Sequence, residues 1–395
     1  MKVLFVASLY RPHVGGIETM ITELCRFYHT QGIETVVLTK KWPNTLPEHD
    51  TFEGTEIHRV ITARTRDEFL EVNDWLKENH YKIKADVIHT IGVRRPLPLV
   101  AVMLARLWNV PVISSISGGD IPDAYDPEPG MIWDEGKEVV PGALIQSDVV
   151  NCVSESLSRD LRVFMPEIKK IETLYAGIEY SNIQEAKPEK IREQYIYSLR
   201  RLDPSKGIDL LIKAFNIVKD TFPKLDLVIS GEGSEEPMLR ALVNEYHLND
   251  RVIFTGTVDL PRAMSLLKGS VMTVVPSLSE GGGLINVEAQ AAGIPVIASR
   301  VGGIPEYISE GESGILFESG NYKELAEKIK LVLSDNTLRE KLIAGGYKHA
   351  KLFDWNVLAP QYLELYKKTI KEHTDNFIFK PWSPLTTELW EKLTK

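Results

Sequence analysis

Apolar and polar positions along this chain follow two rhythms that take turns. Residues 2–8, KVLFVAS, form a short unbroken apolar run. That is the pattern of a strand buried on both faces. Residues 16–32 then place Ile17, Met20, Ile21, Leu24 and Phe27 near a 3.6-residue period, which predicts a helix. ETVVLTK (34–40) is the next strand and closes a βαβ unit. Further strands are predicted at EIHRVI (56–61), DVIHTIG (86–92), PVISSIS (111–117) and SDVVNCVS (147–154), with helices around 66–80, 96–109 and 154–165. Strands and helices in strict alternation predict a parallel sheet covered on both faces.

The pattern then restarts. The polar stretch SNIQEAKPEK (181–190) reads as a linker. After it come strands at QYIYSLR (194–200), LDLVISG (225–231), RVIFTG (251–256), VMTVVPS (271–277) and PVIAS (295–299), with helices at about 207–220 and 235–247. From Asn321 to about residue 373 the chain reads as mostly helical. The expected architecture is α/β, with two Rossmann-like doubly wound domains. The first covers residues 1–183 and is completed by about 366–395; the second covers 184–365. Residues 117–136, rich in Pro, Gly and Asp, are long for a plain connection and read as a functional loop. In the tail, Leu385, Leu389 and Leu393 recur every four residues beside Phe377, Phe379, Trp382 and Trp390. A short amphipathic helix after Ser383-Pro384 is expected, packed on the protein or docked to a partner or membrane.

Composition narrows the function. A chain of 395 residues suggests about two hydrophobic cores. The net charge of −9 argues against a nucleic-acid footprint. Two cysteines, Cys25 and Cys152, cannot build a disulfide framework or a zinc site. The first apolar run is broken by Tyr10, Arg11 and Pro12, too early for a signal sequence. No stretch approaches the roughly 18 apolar residues of a membrane span. The cytoplasm is the expected location, with peripheral contact at the inner face of the membrane kept open by Arg94-Arg95 and the segment SRDLRVFMPEIKK.

Candidate chemistry gathers after five strands. Glu280 and Glu288 flank the glycine triplet Gly281 to Gly283, between a strand and a helix start. Glycines let a backbone approach a ligand closely, and a helix start offers N–H groups to phosphate oxygens. Carboxylates accept hydrogen bonds from ribose and sugar hydroxyls. RRLDPSKG, Arg200 to Gly207, follows another strand, where ligands bind in open α/β sheets. Arg201 and Lys206 there can reach one diphosphate, or simply be solvated. Gly15-Gly16 opens the first helix and can face a phosphate or an acceptor; His13 precedes it. Gly231 and Gly233 form a further glycine turn before a helix. Ser117, Gly118, Gly119 and Asp120 follow the strand at 111–117, where Asp120 is either a turn residue or a polar contact of the site.

The stretch from Pro276 to Glu306 resembles the retaining glycosyltransferases of family 4. Their signature is two glutamates with seven residues between, here Glu280 and Glu288. It continues through AQAAGIPVIASRVGGIPEYI, with Gly302, Gly303 and Glu306 in the expected places. The resemblance implies the GT-B fold: two Rossmann-like domains facing a central cleft, with the C-terminal helix crossing back to the first. The segment FDWNVLAPQYLELYKKTI is similar to that crossing helix. The implied activity is transfer of a hexosyl unit, with retention, from a nucleoside diphosphate sugar to a hydroxyl of a glycan, lipid-linked sugar or small molecule. The resemblance implies no metal and no further cofactor, and the sequence shows no Asp-x-Asp motif. It gives Glu288 to the ribose, Glu280 to the transferred sugar and the backbone of Gly283 and Leu284 to the distal phosphate. Arg201 and Lys206 would hold the diphosphate, and Gly231 and Gly233 would lie against the base. Three positions depart from the family pattern. Arg200 stands where a glycine is usual, Gly282 where an aromatic is usual, and Ser117 where many members have a histidine. The GGDIP that follows Ser117 resembles a bacterial and archaeal subgroup. The alternatives are a non-catalytic nucleotide-sugar sensor or partner subunit, and a GT-B epimerase or phosphorylase.

Overall fold

The computed structural model describes residues 1–60, 66–92, 97–118, 120–121 and 139–373. Gly119, Arg94-Arg95, most of the loop at 117–136 and the aromatic tail beyond residue 373 lie outside the described residues. The chain divides into two compact units. Among the described residues, one holds everything up to Tyr175 and everything from Leu358 on; the other is Ala176–Val357.

The first unit runs β1 (Lys2–Ala7), α1 (Gly16–Thr30), β2 (Glu34–Lys40), β3 (His49–Phe52), β4 (Thr55–Val60), α2 (Arg66–Asn79), β5 (Val87–Ile91), α3 (Leu97–Trp108), β6 (Val112–Ile116), α4 (Val139–Ile145), β7 (Val149–Cys152), α5 (Glu155–Phe164) and β8 (Ile171–Thr173). The eight strands lie in the order β3-β4-β2-β1-β5-β6-β7-β8. All pair in parallel except β3, which forms an antiparallel hairpin with β4. β1, β5 and β6 are buried apart from the first residue of β1, as strands covered on both faces must be.

The second unit runs α6 (Tyr180–Glu185), β9 (Gln194–Leu199), α7 (Ile208–Val218), β10 (Leu225–Ser230), α8 (Glu236–Glu245), β11 (Val252–Gly256), α9 (Leu260–Gly269), β12 (Met272–Val275), α10 (Leu284–Ala291), β13 (Val296–Arg300), β14 (Ile315–Glu318), α11 (Tyr322–Ser334) and α12 (Asn336–Ala350). Its six strands, all parallel, lie in the order β11-β10-β9-β12-β13-β14. Its core joins Ile196, Phe215, Leu227, Val274 and Ile297 to residues of the covering helices. α6 packs against α10. The chain therefore enters this unit before the polar stretch at 181–190, ahead of the expected boundary at 183/184.

The last described helix, α13 (Trp355–Glu372), starts in the second unit and ends in the first, as the sequence similarity to a crossing segment implied. Two tyrosines on it bond to the first unit. The Tyr366 hydroxyl lies 2.5 Å from Nδ1 of His89 in β5, and the Tyr362 hydroxyl donates to the carbonyls of Leu174 and Tyr175. The Nε2 of His89 lies 2.7 Å from Ser115 Oγ, so this buried imidazole is fully paired.

Candidate functional site

Each sheet has one place where its winding reverses, and loops at the carboxyl ends of the flanking strands open a crevice there. In the second sheet the reversal falls between β9 and β12. The loop after β9 is Arg200 to Gly207 and the loop after β12 is Pro276 to Gly283. They are tied together. The carbonyl of Ser205 accepts from the N–H groups of Leu278 and Ser279, at 2.7 and 3.2 Å. Gly207 sits at φ +61, and a Cβ there would stand 2.2 Å from the Pro276 carbonyl oxygen. Only glycine permits both the left-handed backbone and this approach.

Glu280 is the centre of the arrangement. Its Oε2 accepts from Arg200 Nη2, and Lys206 Nζ lies 3.3 Å away. Ser277 Oγ also donates to it, at 3.4 Å, and accepts from Arg200 at 2.6 Å. The Glu280 main chain is fixed as well, since its carbonyl accepts from Gly303 N–H at 3.0 Å. Burial alone would raise the carboxyl, but the charges of Arg200 and Lys206 outweigh it and hold the group below its usual range. Glu280 is therefore a permanent anion placed between two cations.

Arg200 and Arg201 point to different surroundings. The Arg200 side chain is 9% exposed and joined to Glu280; that of Arg201 is 77% exposed and pairs with Asp203 at 3.2 Å. The sequence singled out Arg201 and Lys206, whereas the cations that meet at Glu280 are Arg200 and Lys206. Arg200 and Ser277 are the residues that sequence reasoning missed here. The departure from the usual glycine at 200 was the available signal.

Glu288 lies on α10, which begins directly after Gly283 with no side-chain cap. The N–H groups at that end thus have no side chain competing for them. Burial, and next the Glu179 carboxylate, push the Glu288 carboxyl up to about 7, with Arg200 partly opposing. Gly231 and Gly233 adjoin the same loop from the other side. A Cβ at Gly231, where φ is +124, would stand 1.9 Å from the Arg200 carbonyl oxygen, and one at Gly233 2.2 Å from that of Leu202. They let the turn after β10 press on the backbone of residues 200–202.

In the first sheet the reversal falls between β1 and β5. The loop after β1 carries His13, which is half-buried, and ends at Gly15, which starts α1 without a side-chain cap. Open space surrounds the Cβ position of Gly16. Beside this loop lies a cavity of about 420 Å³ lined by Arg11, Pro12, Phe52 and the buried Arg59, among others. After β6, Asp120 is 4% exposed and closes a tight turn. Its Oδ2 accepts from the N–H of Ser117 at 2.7 Å and from its hydroxyl at 3.0 Å. The structure thus gives Asp120 the turn position.

Two doubly wound domains, linked in sequence and with the last described helix returning to the first, define the GT-B class. Comparison with known proteins narrows this. The family model described as Glycosyl transferases group 1 matches residues 180–349, and that described as Glycosyltransferase Family 4 matches residues 14–182. D-inositol 3-phosphate glycosyltransferase of Acidothermus cellulolyticus is 27% identical over 400 residues, spanning 91% of this chain and 86% of that protein. Sucrose-phosphate synthase from Thermosynechococcus elongatus shares the fold with a TM-score of 0.76 at 20% identity, covering 94% of this chain and 100% of that one. HepE of Anabaena, in complex with UDP-glucose, does so with a TM-score of 0.68 at 18% identity, covering 93% and 100%. The chain belongs to glycosyltransferase family 4, and it is a glycosyltransferase.

Proposed function

We propose that this enzyme moves a hexosyl unit from a nucleoside diphosphate sugar to an acceptor hydroxyl, with retention at the anomeric carbon and without a metal ion. The observation that carries the reading is the Glu280 cluster at the reversal point of the second sheet, with Glu288 on the helix that starts beside it. HepE, which shares the fold, was solved with UDP-glucose, and that supports a nucleotide sugar as donor.

In this reading Glu288 accepts from the ribose hydroxyls and Glu280 from hydroxyls of the transferred sugar. Gly283 and Leu284 offer main-chain N–H groups to the distal phosphate. As the bond from the anomeric carbon to the phosphate oxygen breaks, negative charge grows on the diphosphate. Lys206, the exposed Arg201 and the start of α10 stabilise that charge, so no cation need be recruited. The acceptor oxygen bonds to the anomeric carbon on the same face, and its proton passes to the departing phosphate oxygen. Arg200 touches neither phosphate nor sugar in this scheme; it positions Glu280 and keeps it ionised. His13, Gly15, Gly16, Ser117 and Asp120 belong to the acceptor side. The acceptor is a glycan, a lipid-linked sugar or a small molecule. No helix among the described residues is long and apolar enough to cross a membrane.

The test is a product assay with a panel of nucleoside diphosphate sugars, with and without chelator. Transfer that survives chelator and falls about 10²–10³-fold in Arg201→Ala and in Lys206→Ala is the expected result. Loss of transfer on chelation, or inverted product, would refute the scheme.

A further inference from the structure

The outer hairpin of the first unit holds a second cluster, which glycosyl transfer as described above does not use. β3 and β4 run antiparallel, with His49 directly opposite His58. Glu56 stands two residues before His58 and so shares its face of the sheet. The side chains meet on that face. The two imidazole centroids are 4.9 Å apart, and one ligand atom from each of His49, Glu56 and His58 lies within 4.8 Å of the others. His58 is only 6% exposed, and its Nε2 is buried with no hydrogen-bond partner. The Glu56 carboxylate is 3.6 Å from it, too far for a hydrogen bond. A buried polar atom left unpaired costs about 1–3 kcal/mol, so the site calls for a partner that the protein itself does not supply.

We propose that His49, Glu56 and His58 bind a divalent cation of the zinc type, with the fourth position open to water. Two imidazoles and a carboxylate are donors that suit Zn2+ and match a three-ligand open site. Bonds of about 2.0–2.2 Å in a tetrahedron bring ligand atoms to roughly 3.4 Å apart, so the widest pair must close by up to about 1.4 Å. His49 and Glu56 are exposed and free to close in, while the ring of Trp75, centred 5.8 Å away, backs His58. The cation would give the orphaned Nε2 its partner and clip the outermost strand to its neighbour. Because the ligands form a set only in the folded hairpin, binding stabilises the fold. The ligands are spread over two strands and a turn, so no compact metal motif marks them in the sequence.

The experiment is calorimetric titration of chelator-treated, full-length protein with zinc chloride, paired with thermal melts. The expected result is one equivalent bound and a raised Tm. His49→Ala, at an exposed position, should weaken binding by more than about a hundredfold, beyond the loss typical of an outer-shell partner, and should abolish the Tm rise. Its transfer activity should equal the parent's. His58→Ala should do the same to zinc binding if it folds. No stoichiometric binding, or binding that His49→Ala leaves unchanged, would overturn the proposal.

Discussion

Glu288 carries its proton to about pH 7, raised from 4.5 by burial and by the Glu179 charge. A carboxyl with a raised folded pKa lends stability that is fully present below pH 4.5 and lost as pH rises through 7. Glu288→Gln should therefore stabilise the protein at pH 8, by up to about 3 kcal/mol, and leave it little changed at pH 4. Denaturant melts at the two pH values check this. In the proposed role, ribose hydroxyls need the carboxylate form, so nucleotide-sugar affinity should rise from pH 6 to pH 8. The donor's diphosphate is esterified at both ends and does not titrate there. Calorimetry on Glu288→Gln should show weaker binding with a flat pH profile; a slope kept in the variant would remove Glu288 from the donor site. Arg200→Ala offers a second check. It leaves Glu280 with Lys206 and the Ser277 hydroxyl and should cost up to about 3 kcal/mol, the low end for breaking a buried pair, since the Glu280 side chain keeps 18% exposure. Stability within about 0.5 kcal/mol of the parent would mean the pair is not held in solution. Residues of this kind were only half legible in the sequence. The spacing of Glu280, Glu288 and Lys206 was plain. Which of two adjacent arginines turns inward was not, because it depends on where β9 ends and how the loop leaves it.

At the scale of elements, α13 is held by polar contacts rather than by apolar packing alone. Tyr366 closes on His89, whose imidazole is held down to about 3 by burial. A histidine kept neutral in the fold lends stability that is present above its unfolded value of 6.5 and is lost as pH falls toward 3. Tyr366→Phe should leave Nδ1 unpaired and destabilise the protein by about 1–3 kcal/mol at pH 7. Denaturant titration measures it, and an unchanged midpoint would mean a water replaces the hydroxyl. The long elements were legible because each repeats its period several times: α1, α7 and the buried strands β1, β5 and β9 stand close to where the apolar pattern puts them. Three of the short strands were not. β3, HDTF, is almost wholly exposed, and β8 and β14 have three and four residues. Such runs are too brief to show alternation. Sheet pairing alone makes them strands, and the metal cluster stayed hidden with β3.

On the scale of the whole molecule, the proposed donor residues and the proposed acceptor residues fall in different units. Arg201, Lys206, Glu280, Gly283 and Glu288 all lie within Ala176–Val357, while His13, Gly15, Gly16, Ser117 and Asp120 lie in the other unit. The restart of the strand–helix pattern made this two-part plan legible, because each half must bury its own sheet. Where the chain passes from one to the other was harder to read, since α6 looks polar yet packs on α10. The division makes donor binding and transfer separable, and Asp120 is the sharpest place to test that. Asn at position 120 keeps a carbonyl oxygen for the N–H and hydroxyl of Ser117, so the turn after β6 should survive the change. What it removes is the negative charge and the capacity to take a proton. If Asp120 orients or polarises the acceptor hydroxyl, Asp120→Asn should bind nucleotide sugar within about twofold of the parent. Its transfer rate should nevertheless fall at least about a hundredfold, the lower range for loss of a positioned acid–base group. Binding by calorimetry and transfer by product assay give the two numbers on one preparation. Transfer at the parent rate would confine Asp120 to the turn that it closes with Ser117, and His13 would then be the next residue to change.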